Sequence, residues 1–500
     1  MFFADLPEDI LRLVVITHFA GDLQTLALLA TLSKRLNHIA IPILYSHVTL
    51  TTDDYDDSRK VRRFIMSVFS SPYRARCVRS LELNGLYWVP RQSASQRRKE
   101  LVQRMKTGNI LGRPDRLDMF KLVTVVRRLP LLETHKLRWC TELEEFAPSL
   151  DSLVALMLVL LPSLEKLESN WSFEPVFIRR MLPQTANRRT PAPLVLRKLT
   201  HLKVNSESPC GNSAQILPFF RMPSLTHFFG SNWGPIRRKG RDDGVENEAG
   251  DLEGGGRIES PIIHLELRQC SIDLYTLQTI LKQCPSLRTF IFHREWDPRV
   301  HVKFSAFSIT QALQPLWQTL ENVALSFESG IYIEQEGEIH PLDFSQFSAL
   351  TELHVDAGYL VHDPDDFDTP EFSKNYDPRG KEARLINIPL YDRLPESLEV
   401  LHITGFCTSQ QMRFLIEDCC RLLQRRPQFP RLRELCIETP PDDNGVSDMK
   451  VLEEDARQAN ILLRKVDNAE YYFGNQGDLL NPAGRDWGMN GEFKWGTKLF

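Results

Sequence analysis

No run of this 500-residue chain is apolar for long enough to cross a bilayer. The longest, "LVALMLVLL" from Leu153 to Leu161, is about half the ~20 residues a spanning helix needs, and Pro162 closes it. It reads as a buried helix, and no membrane is expected among the partners. A surplus of either charge is missing too. The 61 Lys and Arg nearly balance 65 Asp and Glu, for a formal net charge of -4. A nucleic-acid binder would show a basic excess, so no nucleic acid is expected. Cysteine is scarce and unordered: nine residues, an odd number without regular spacing. That is no disulfide framework, and the thiols are read as reduced and mostly buried. The start "MFFADLPEDIL" carries acids where a secretory signal has basic residues, so the expected location is cytoplasmic, nuclear or both.

The motifs of catalysis are absent as well. The thirteen histidines form no HExxH and join no CxxC pair, which removes the usual zinc arrangements. No GxSxG elbow occurs. The glycines at 254–256 lack the Lys-Ser/Thr ending of a phosphate-binding loop. The chain is therefore expected not to be an enzyme, with no catalytic residues, no metal and no cofactor.

What is present begins at Leu6. Asp5 and Glu8 suit a helix start, with Pro7 in the first turn, where its missing N–H costs nothing. Leu6, Ile10, Leu13, Val14 and Thr17 then form one stripe at helical spacing, and Leu11, Val15 and Phe19 another. Gly21 and Asp22 break the chain before a second apolar helix through Leu23, Leu26, Ala27, Leu29 and Ala30. Ser33 is an N-cap for a third, "KRLNHIA", expected to end near Pro42. So small a unit can bury one stripe of each helix, and the second points to a partner surface.

Leu6-Pro7 with the acid after it, Ile10, Asp22-Leu23, "LSKRLNHIA" and "PILY" resemble an F-box, above all as it occurs in fungal proteins. The resemblance implies docking of a Skp-type adaptor and, through it, a cullin. Carried over by position, Leu6, Pro7, Ile10 and Leu11 enter the adaptor groove, while Leu23, Leu26, Leu29 and Leu32 shape or extend the contact. Leu36 stands where many members carry a bulky aromatic, and "THFAGDLQ" lacks the usual Asp-Pro turn. The alternative is an apolar three-helix cap on a larger fold.

The remainder repeats one pattern, LxxLxL, clearest in "IIHLELRQCSI" from Ile262. It recurs as "VRSLEL", "LTHLKV", "LRTFIF", "LENVAL", "LTELHV", "LEVLHI" and "LRELCI", and in part as "LLETHKL", "LEKLES" and "LTHFFG". "LPSL", "MPSL", "CPSL" and "FPRL" each precede a strand, so proline marks the turn out of a helix. From about Val78 to Thr439 the chain resembles the leucine-rich-repeat family, in which each unit buries its apolar side against the next.

The fold class expected is α/β: a three-helix F-box, then an irregular leucine-rich-repeat solenoid with a parallel β-sheet on its concave face. The boundaries expected are 1–50 for the F-box-like helices and 51–77 for a linker and first helix. The repeats take 78–440, with loops at 89–110, 234–260 and 360–384, and 441–500 forms a capping helix and tail. Residues just after the last inward leucine face out of the sheet: Asn84, Arg138, Asn205, Arg268, His293, Ser326, Asp356, Thr404 and Glu438. Of these, Arg138, Asn205, Arg268, His293, Asp356, Thr404 and Glu438 are the expected contacts of a protein target, their mixed charge suiting a protein. Two functions stay open: substrate receptor of a Skp–cullin–F-box ubiquitin ligase, or a non-catalytic repeat scaffold outside any ligase.

Overall fold

The computed structural model describes residues 6–51, 58–84, 116–144 apart from 130 and 132, 149–171, 176–178, 181, 195–206, 211–236, 259–294, 306–327, 338–339, 342–360, 384–385, 388–404, 409–439 and 446–467. They fall in two compact units, Met1–Val302 and Lys303–Phe500. The expected loops lie outside the described residues, save 234–236, 259–260, 360 and 384. So do Asp5 and the tail beyond 467.

The first unit opens with helices α1 (Glu8–Phe19), α2 (Leu23–Leu32) and α3 (Lys34–Ser46). Pro7 is the N-cap of α1 rather than its first-turn residue. Asp22 caps α2, its Oδ1 accepting from the N–H groups of Gln24 at 3.1 Å and Thr25 at 3.0 Å. Ser33 caps α3 through Leu36 N–H at 3.1 Å, as its position predicts. Leu11, Val15, Leu26, Leu29, Leu36, Ile39 and Ala40 form the core of these helices, with Leu6 and Phe19 packed against it.

The third helix does not stop at Pro42, which lies inside it. Proline deprives the His38 carbonyl, four residues earlier, of its helical donor. The Tyr73 hydroxyl lies 3.4 Å from that oxygen, and its ring stacks on His38 at 5.7 Å. With that carbonyl served, α3 continues to Ser46 and passes into strand β1 (His47–Thr51). This strand was not expected.

Helices α4 (Ser58–Ser70) and α5 (Pro72–Cys77) lead to β2 (Ser80–Asn84). After them come α6 (Arg116–Arg128), α7 (Glu133–Glu144) and α8 (Leu150–Leu160). Five strands of the main sheet follow among the described residues: β3 (Lys166–Trp171), β4 (His201–Ser206), β5 (His227–Ser231), β6 (His264–Cys270) and β7 (Thr289–Arg294), with α9 (Leu274–Leu281) between the last two. Strands β1 to β7 pair in parallel in chain order. The apolar run at 153–161 lies mostly within α8 and is buried, as expected, except at half-buried Val159 and Leu160. The "LLETHKL" segment is a correction. It opens α7, because Trp139, Cys140 and Leu143 are buried at helical spacing.

The second unit repeats the plan. Its strands β8 (Asn322–Phe327), β9 (Glu352–Asp356), β10 (Val400–Thr404), β11 (Glu434–Thr439) and β12 (Leu462–Asp467) also pair in parallel and in order. Helix α10 (Ala306–Leu313) precedes β8, and α11 (Leu390–Arg393), α12 (Ser409–Gln424) and α13 (Val446–Gln458) separate the strands from β9 on. "DMKVLEEDARQANILLRKV" is thus a helix and a strand rather than one helix. Asn460, at φ 53°, takes the left-handed conformation that ends a helix, and "LLRKV" pairs with β11.

The proline turns form alike in both units. Leu164, Leu225, Leu287 and Leu432 N–H groups donate back to residues 161, 222, 284 and 429 at 3.2–3.4 Å. Proline at the second position of each turn already has the required φ. The leucine that follows is buried, as are the two inward residues of the strand that each of these four turns opens. Leu→Ala at Leu265, Leu267, Leu353 or Leu401, all at most 1% exposed, should cost about 2–5 kcal/mol. Urea midpoints of single variants check this, and a loss within about 0.5 kcal/mol, normal for surface sites, would contradict the inward register.

Candidate functional site

Two kinds of surface stand out, the first on α1 and α2. Ile10, Leu13 and Ile16 lie three residues apart on α1 and are 44%, 61% and 48% exposed. On α2, Leu23, Leu28 and Leu32 are 58%, 66% and 69% exposed. Rows this apolar are uncommon on a surface with no partner. Of the eight residues assigned to the adaptor by resemblance, Ile10, Leu23 and Leu32 lie in these rows. Pro7 is exposed beside them, and Leu6 is half-buried against the small core.

Leu11, Leu26 and Leu29 are a correction. They are at most 9% exposed and make up the core of the three helices, so none is available to a partner. Leu13, Ile16 and Leu28 were not among the assigned residues. Leu13 shares a stripe with Ile10, and Leu28 stands one turn before Leu32; that spacing was the available signal.

The second surface is the outward face of each sheet, opposite the leucines. In the first unit it carries three rows in register. One runs Ser80, Lys166, His201, His227, His264, Thr289, and the next Glu82, Glu168, Lys203, Phe229, Glu266, Ile291. The third, Asn84, Asn170, Asn205, Ser231 and Arg268, includes the expected Asn205 and Arg268. His293 follows on β7.

Charge on this face is consumed locally. Lys203 Nζ lies 2.5 Å from Glu168 Oε1, and Arg268 pairs with Glu266 two residues before it on the same strand. Glu82 accepts from Thr49 Oγ1 at 3.0 Å and from Asn84. His201 stacks on His227 at 4.3 Å, and His227 on His264 at 5.5 Å. Burial, then the neighbouring imidazoles and Lys166, lowers His227 to about 4. Burial, then Lys166 and His264, lowers His201. Burial, then Arg268, lowers His293 to about 4.

These shifts set a pH dependence. An unfolded histidine titrates near 6.5, so below that pH the unfolded chain binds protons that the folded chain refuses until about 4. Stability from His227 is therefore complete above about pH 6.5 and is lost as pH falls toward 4. Buried Asp151, pushed up to about 7 by burial although the backbone N–H groups at 176–178 pull it down, works in the opposite sense. The comparison between variants isolates the histidine. His227→Gln should shrink the fall in urea midpoint between about pH 7 and 5; an unchanged fall would contradict the assignment.

In the second unit His354 and His402 stack at 4.2 Å in the middle row, between Ala324 and Cys436. Glu434 pairs with Arg464 at 3.0 Å. Asp356 is half-buried in the third row. Thr404 and Glu438 are corrections: they are 6% and 4% exposed, too buried to serve as docking contacts. The Thr404 hydroxyl is 2.9 Å from His354 Nε2, and Glu438 sits on an interior strand, paired in register with Val466. Arg138 is on α7 and therefore belongs to no row. Among the described residues, no group of three or more His, Cys, Asp or Glu is placed to hold a metal ion, and no helix is long and apolar enough to cross a membrane.

The profile of a leucine-rich repeat domain matches residues 131–441, more than half of the chain. The chain belongs to the leucine-rich repeat domain family. No curated protein matches it. Strands β1 and β2 precede the matched span and β12 follows it, yet all three continue the parallel order of their own sheets. The parallel pairing thus extends beyond the matched span at both ends. Such domains are typically non-catalytic modules that bind proteins, which is the coarse function this fold carries.

Proposed function

We propose that this leucine-rich repeat protein is the substrate-recognition subunit of a Skp–cullin–F-box ubiquitin ligase. Helices α1–α3 dock a Skp-type adaptor, the adaptor reaches a cullin, and the repeats hold a protein target in the cytoplasm or nucleus. The observation that supports this reading is a pair of exposed apolar rows on a module whose own core is already complete. The subunit contributes proximity, raising the target's effective concentration near the ubiquitin-carrying enzyme.

A second reading has one observation in its favour. Because α3 runs into β1, the helices also close the end of the first sheet, as a cap without an adaptor would. Co-expression of the full-length chain with a Skp-type adaptor separates the two. Co-elution as a stoichiometric complex is the expected result. Elution of the chain alone would leave only the cap.

A further inference from the structure

The third outward row of the first unit is a ladder of side-chain amides. Asn170 Nδ2 donates to Asn84 Oδ1 at 3.5 Å, Asn205 Nδ2 to Asn170 Oδ1 at 2.9 Å, and Ser231 Oγ to Asn205 Oδ1 at 2.8 Å. A carboxamide has two N–H donors and two lone pairs on its oxygen. The ladder uses one of each on Asn170 and Asn205, so each retains an N–H and a lone pair. That is the complement of a peptide group, which offers one donor and one acceptor.

The neighbouring rows narrow the partner further. Phe229, in the row beside the ladder, is half-buried, and the half-buried His201–His227 stack lies one row beyond it. The carboxylates of this face already have cationic or hydrogen-bonding partners: Glu168 has Lys203, Glu266 has Arg268, and Glu82 has Thr49 and Asn84. A partner charge that paired with any of these groups would have to displace the contact it already makes, at a desolvation cost. An uncharged partner has no such cost.

We infer that the outward face of residues 80–268 binds an extended, uncharged segment of a protein. The segment's backbone pairs with Asn170 and Asn205, and its apolar or aromatic side chains lie on Phe229 in the adjacent row. This rests on the reading that the repeats hold a protein target, and names the chemistry of that target.

The probe is a displayed library of short random peptides, selected on the full-length chain at neutral pH. Enriched peptides should contain fewer Asp, Glu, Lys and Arg than the starting library. Asn205→Leu should weaken their capture roughly tenfold or more, through lost hydrogen bonds and a desolvated peptide group. Asn205→Asp, which keeps the shape and removes the donors, should do the same and serves if the leucine variant fails to fold. Ser231→Trp, a steric block beside the ladder, should prevent capture.

Enrichment of strongly charged peptides that Ser231→Trp still blocks would overturn the inference and leave the broader reading standing. So would uncharged peptides indifferent to both Asn205 variants. If nothing is enriched, the inference fails. If, in addition, a target co-purified with the full-length chain binds the Ser231→Trp variant unchanged, the first unit's sheet is not its docking surface.

Discussion

Arg393→Met should destabilise the second unit by about 3–5 kcal/mol, the range seen when one member of a buried charged cluster is removed. The guanidinium is 2% exposed and joins three stretches of chain. Its Nη2 donates to Leu360 O at 3.0 Å, Nη1 to Leu342 O at 3.5 Å and Nε to Pro389 O at 3.5 Å, while Asp418 lies 3.9 Å away. Burial lowers Arg393 to about 10, with Asp418 and Asp343 acting against it. Methionine fills much of the volume and supplies no donor. Each carbonyl left buried without a partner costs about 1–3 kcal/mol, and Asp418 loses the first of the two cations that hold its carboxyl down against burial. Lysine keeps the charge but cannot reach three oxygens with a planar fork, so Arg393→Lys should fall between the two. Hydrogen exchange over 342–360 and 388–424, read with the urea midpoint, is the measurement. A loss below about 1 kcal/mol would mean that the carbonyls are served another way.

The other large effect concerns α1 and α2. Leu13→Asp combined with Leu28→Asp should weaken adaptor capture about a hundredfold or more. Burying one leucine is worth about 1.5–3 kcal/mol, every 1.4 kcal/mol or so is tenfold in affinity, and each carboxylate adds its own desolvation cost. Both side chains are more than 60% exposed, so the thermal midpoint should hold. Leu26→Asp is the contrasting control: it places the charge in the core of the helices and should unfold them. Wild-type capture by the double variant would end the adaptor reading.

Much of the array was legible because its signals are local. An inward leucine pair, a leading leucine and a proline turn recur within a few residues of one another, and the strands at 80, 201, 264, 289, 352, 400 and 434 begin where that pattern puts them. Strand β1 was hidden because it follows α3 directly and has no proline turn of its own. Strand β12 was hidden because "LLRKV" also fits a helical face, and only pairing with β11 decides. Two stripes on α1 are equally visible in the sequence. Which of them turns inward depends on Leu26, Leu29 and Leu36 from other helices. The outward rows were read by alternation, which gives a side and not a depth. Thr404 and Glu438 occupy the expected row, but their burial is set by chains far away in sequence.

The junction between Ser46 and His47 has no linker, so helical phase links the exposed rows of α1 and α2 to the first sheet. One residue added to a helix turns whatever precedes it by about 100° and moves it about 1.5 Å along the axis. A single-residue insertion within α3 would therefore swing the two leucine rows to a new bearing with every side chain in them unchanged. In this architecture α3 acts as a keyed shaft, and an indel there amounts to re-aiming the molecule.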